Sequence, residues 1–196
     1  MTDSSSMEWL LDLGELASYL QEAVPLWGEA LQFRLGAEAK RIREKRKLRL
    51  LRAAVIMAAA AFEGWTNFLA DKILADNRTA GRGLTEFEGD CLREKRKQLQ
   101  NGEIHEQNGR FTSQERFPLL YKILNGDQKL NDGARTDLDR ALKIRDRLID
   151  PKPGNPVEMS ELDSAFGGFF RADVALAEAW VKAKSKKRRR PILILS

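Results

Sequence analysis

A single cysteine and a single histidine in 196 residues remove most familiar catalytic and metal chemistry at once. Cys91 alone cannot close an internal disulfide, and neither a cysteine-based nor a multi-histidine zinc site can be assembled. A Ser-His-Asp triad could be built only on His105, in a polar stretch best read as an exposed loop. No cofactor fingerprint appears, so neither a metal nor an organic cofactor is expected. Long apolar runs are also missing. The most apolar one, residues 53–62, is too short to span a bilayer, and Glu63 closes it. The first fifteen residues carry Asp3, Glu8, Asp12 and Glu15 without a basic residue, unlike a signal peptide. A cytoplasmic protein with no membrane partner is the expectation. No stretch before Ile192 alternates as a strand should.

What is present is helical periodicity and charge. With 42% hydrophobic and 32% charged residues the chain is long enough to bury a core beneath a charged surface. The spacing predicts an all-α antiparallel bundle with one long central helix and additional N- and C-terminal helices. Residues 8–24 carry Trp9, Leu10, Leu13, Leu16 and Leu20 at helical spacing up to Pro25. A second helical region starts near Leu26, and from residue 37 to about 76 nothing breaks the pattern. There Leu48, Leu51, Val55, Phe62, Leu69 and Ile73 keep one face, with Ala59 and Thr66 between them. Thr85 and Glu88 form a capping-box pair opening a polar helix to about Gln100, and residues 101–116 read as unstructured. Pro118 suits the first turn of a short helix ending at Asn125-Gly126. Residues 134–149 form the next helix, and Ser160 with Asp163 opens a last one through Lys184. One domain over residues 1–184 and a basic tail over 185–196 follow.

The helix at 138–150 concentrates the chemistry. Leu138, Leu142, Arg145 and Ile149 recur at one-face spacing, so Arg145 projects from an apolar stripe. Its guanidinium stays charged and must meet a carboxylate, a phosphate or a cleft. A structural ion pair and a site role are the two readings. Glu63, closing the apolar run of the long helix, is the obvious partner, with plain exposure as its alternative. Asp150 stands just before Pro151, where the helix should stop.

Arg145-Asp146-Arg147-Leu148-Ile149-Asp150-Pro151-Lys152 resembles the R-[N/D/H]-x-x-x-H signature of HEPN domains, many of which read R-N-x-x-V-H-P-K. The alanine-rich run at 53–73, with its embedded Glu and Asn, and the segment 119–126 resemble other helices of that family, in its order. The resemblance implies a small helical bundle, often a homodimer, in a superfamily containing metal-independent endoribonucleases of toxin–antitoxin and phage-defence systems. It implies catalytic places for Arg145, Asp146 and Asp150, and a place for Lys152 in RNA binding. Arg145 matches the family arginine and Asp146 is an accepted neighbour. Asp150 stands where the family has histidine, which titrates near neutrality; an aspartate, with a reference pKa of about 3.9, is ionised there and repels phosphate. A weakly active or inactive site is the expectation, with Asp150 paired to Lys152 or Arg147.

Two basic runs bear on partners. Eight basic residues lie between Lys40 and Arg52, and Arg41, Lys45, Arg49 and Arg52 form one helical stripe. It reads either as a solvated face or as a track for RNA phosphates. The second run, residues 182–190, precedes the apolar Ile192 to Leu195 and reads as a nucleic-acid arm or a solvated end. Two function classes follow: an RNA-directed, ribonuclease-like HEPN protein acting as a homodimer, or a non-catalytic helical dimerisation module for a protein partner.

Overall fold

The computed structural model describes residues 25–26, 28–39, 43–75, 84–93, 95–100, 103–108, 112–126 and 132–188, with the backbone alone at 95–100, 103–108, 132 and 186–188. The expected helix at 8–24, Arg41 and the segment 189–196 lie outside them. Helical backbone at 28–38 (α1) is followed by α2 (Glu44–Ala75), α3 (Glu86–Leu92), β1 (Lys95–Gln100), β2 (Glu103–Asn108), α4 (Ser113–Asn125), α5 (Asp132–Ile149) and α6 (Met159–Arg188). The protein is a helical bundle carrying one antiparallel hairpin.

The long helix is α2, but it starts at Glu44 and not at residue 37, because the backbone leaves the helix at 39 and 43. Its 32 residues span about 48 Å at 1.5 Å per residue. Packing accompanies the break: a side-chain carbon at Gly36 would lie 3.5 Å from Leu50 Cδ1, so α1 folds back against α2. Like charges at Lys40, Arg41 and Arg43 further disfavour one continuous helix. Beyond Glu44 the apolar stripe buries Leu51, Val55, Ala59, Phe62, Thr66, Leu69 and Ile73, while Leu48, expected on the same face, is half-buried. By length and composition α2 could cross a bilayer, yet 56% of its most apolar window is buried inside the protein, as in a core helix.

The chain divides into two compact units. The first comprises Met1–Trp65 and Arg140–Phe170. Its core centres on Phe62 and Phe169, whose rings lie 5.9 Å apart, together with Leu51, Val55 and Leu162. Arg34 of α1 reaches Asp163 of α6 at 3.2 Å. The second unit comprises Thr66–Asp139 and Arg171–Ser196, with Leu69, Ile73, Phe117, Leu120 and Leu176 buried.

Within the second unit the chain between α2 and α5 departs from expectation. The Thr85–Glu88 capping box forms, with reciprocal bonds of 3.2 and 3.1 Å, but α3 ends at Leu92. Residues 95–100, expected to be helical, form β1, and His105, expected in a loop, lies in β2 opposite Gln98. The register leaves two residues, Asn101 and Gly102, between the paired Gln100 and Glu103, and Asn-Gly is the strongest short hairpin signal. Lys97 stands opposite Glu106 in this register. α4 begins at Ser113 under a second capping box, Thr112 with Glu115, so Pro118 lies inside the helix and not in its first turn. Gly126 ends it with φ 68°, a left-handed conformation suited to glycine. Cys91 is buried and unoxidised.

Candidate functional site

All the motif residues lie in the first unit, on the last turns of α5 and the turn at 150–158. α5 buries Ala141, Leu142 and Ile144 of that unit, and this face sets the direction of Arg145. Ile149, expected on the same stripe, is 66% exposed, because the helix ends there and its last turn leaves the core.

Arg145 is 22% exposed and enclosed by acid. Its Nη1 donates to Glu63 of α2, and its Nε donates to Asp146 Oδ1 at 2.9 Å, with Nη2 2.8 Å from the same oxygen. The guanidinium therefore faces two carboxylates, one from each helix. Asp146, given a catalytic place by the resemblance, acts here as a ligand to its neighbour. Asp150 is exposed and makes no ion pair with a described residue, contrary to the expected pairing with Lys152 or Arg147. Its backbone N–H still closes the helix on Asp146 O at 2.8 Å. Five residues on a helix correspond to about 140° of rotation at 3.6 residues per turn, so Asp150 and Arg145 do not share a face.

Arg147, assigned no site role from sequence, holds more partners than Arg145. Nη1 donates to Glu161 Oε1 at 2.7 Å, while Nη2 donates to Asn155 Oδ1 at 2.9 Å and to the Pro156 carbonyl at 2.7 Å. One guanidinium thus joins the end of α5, the 150–158 turn and the start of α6. Glu161 also accepts the Glu158 N–H at 2.9 Å, so α6 is capped by Glu158 and Glu161 and not by the expected Ser160–Asp163 pair. The Arg147 hydrogen bond, followed by the Glu158 N–H, holds the Glu161 carboxyl below its ordinary value of 4.5. The signal for Arg147 was the rigid fork of an arginine just before a Pro-rich turn with a carboxylate one turn into the next helix.

Of the expected RNA-binding set, Lys45, Arg49 and Arg52 lie exposed on one side of α2, and none makes an ion pair with a described residue. Lys152 is exposed on the 150–158 turn, likewise unpaired. Arg52 and Lys152 meet at a groove of about 480 Å³. Its walls are Phe33 of α1, Ile56 and Met57 of α2, Leu148 of α5 and Val157 of the turn, with Arg147 and Glu29 among the polar groups. No family model, no curated protein and no solved structure matches this chain.

Proposed function

We propose that the chain is a HEPN-type helical protein that binds RNA through its surface charge and does not cleave it, acting as a cytoplasmic homodimer. The observation that carries this reading is the exposed row Lys45, Arg49 and Arg52, spaced four and three apart on one helix and without an ion pair to a described residue. Exposed cations at that spacing match the needs of a phosphate track, whereas Arg145 and Arg147 are pinned by acids. The non-cleaving part rests on two facts. Glu63 and Asp146 already occupy the Arg145 guanidinium, and the motif ends in an acid on another side of the helix.

The test is the salt dependence of single-stranded RNA binding. Each phosphate contact contributes a slope of about −0.7 in log K against log salt, so Lys45→Gln, Arg49→Gln and Arg52→Gln together should flatten it by about 2. An unchanged slope assigns the row to a solvated face. Wild type is expected to leave structured RNA intact in EDTA, and cleavage overturns that half of the reading.

A second reading is favoured by the Arg145–Glu63 bond itself. A guanidinium satisfied within one chain needs no groove shared with a partner, which suits a non-catalytic protein-interaction module. Asp150→His separates the two. RNA cleavage that vanishes in the Asp150→His, Arg145→Ala double variant marks a site lacking one side chain, and silence from a folded Asp150→His favours the interaction module.

A further inference from the structure

We infer that the groove between α1, α2, the end of α5 and the 150–158 turn is a binding site for a small amphipathic anion, an aliphatic chain ending in a carboxylate or phosphate. It is independent of the RNA reading, although Arg52 belongs to both surfaces. About 480 Å³ falls inside the range of roughly 300–1,000 Å³ typical of small-molecule sites.

The lining chooses the ligand. Ile56, Met57, Leu148 and Val157 are aliphatic, and Phe33 is the single aromatic ring among the described lining residues. A flat base stacks between rings, and one ring offers no such slot; a flexible alkyl chain fits branched and thioether walls. Ionic groups then fix its head. Of the three cations at the groove, Arg147 is bound to Glu161, Asn155 and the Pro156 carbonyl, and is already neutralised. Among the described residues Arg52 and Lys152 have no ion partner, and Glu29 is the one acid of the described lining. Among the described lining residues, two cations without an ion partner against one carboxylate leave a place for one negative charge. Preorganisation comes from Arg147, whose bonds to Asn155 and Pro156 hold the turn that carries Lys152 and forms one wall.

The experiment is calorimetric titration of the full chain with hexanoate, octanoate, octyl phosphate and octanol. Each added methylene should tighten binding about three- to fourfold, so octanoate should bind about tenfold more tightly than hexanoate. Octanoate or octyl phosphate should outbind octanol, and the tighter of the two identifies the head group the site prefers. Lys152→Gln, an exposed turn substitution that leaves the core untouched, should weaken the preferred anion about fivefold, and Arg52→Gln similarly. Met57→Trp, which fills the groove, should abolish binding while circular dichroism remains that of wild type. Equal affinity for octanol and octanoate, no gain with chain length, or indifference to both charge substitutions overturns the proposal. These titrations contain no RNA, so they stand or fall separately from the salt-slope measurement.

Discussion

Arg145 and Arg147 stand two residues apart on the last turns of α5, and the protein uses them differently. Arg145 faces α2 and is held by two side-chain carboxylates, Glu63 and Asp146, which are themselves 40% and 65% exposed. Arg147 faces the turn and binds one carboxylate, one amide oxygen and one backbone carbonyl on the far side of a chain reversal. The first contact can dissolve into water on both sides at little loss. The second supplies a donor to the Asn155 side-chain oxygen and the Pro156 carbonyl as well as to the Glu161 carboxylate, which the Glu158 N–H also reaches. Periodicity singles out Arg145 because it interrupts an apolar stripe, whereas Arg147 carries more of the local architecture because of where the chain goes after Pro151.

The difference can be measured. Arg147→Ala should be the most damaging change, lowering unfolding free energy by about 2 kcal/mol in urea, since it removes charge-assisted bonds at three points of one turn. Arg145→Ala should cost about 1 kcal/mol, because its exposed acids rehydrate. If Arg145→Ala proves the more destabilising, the contrast is reversed and the α2–α5 contact is the true anchor.

Glu161→Gln sharpens the comparison through pH. The Glu161 carboxyl is held down in the folded state, so its contribution is present above the unfolded value near 4.5 and is lost as pH falls through the lower folded value. Wild type should lose stability relative to Glu161→Gln as pH drops from about 5 toward 3, with the difference between them shrinking. Parallel stability curves across that range would show that the clamp does not depend on the carboxylate charge. The smallest effect belongs to Asp150→Ala, expected to stay within about 0.5 kcal/mol because the side chain is exposed and makes no ion pair with a described residue. A larger loss would reveal a role for Asp150 in ending α5.

Much of the fold could be read before any coordinates. The α2 stripe from Leu51 to Ile73 is buried because its spacing allows no other face to be, and α5 and α6 follow from the same rule. The Thr85–Glu88 box correctly starts α3, but nothing in its polar continuation announced that the helix stops after two turns. The hairpin was announced only by Asn101-Gly102, a signal easily taken for a plain break when the flanking residues are charged and do not alternate. The candidate site was half visible. The acid partner of Arg145 followed from charge on an apolar face, while the fate of Asp150 depended on which way a helix end turns.

Sequence alone determined which residues would be buried along α2 from Leu51 to Ile73 and that charge would collect at its start, because both depend on spacing of about 3.6 residues and on side-chain chemistry. Tertiary structure helped decide where α2 begins, since Leu50 lies beside Gly36 and α1 meets α2 across a break in a pattern that is periodically continuous. It also decided that Arg147 would bridge two helices across a turn and that Arg52 would share a groove with Lys152, a hundred residues away. Helical periodicity acts over a few residues, so it cannot specify a bond or a cavity between segments that meet only once the chain has reversed.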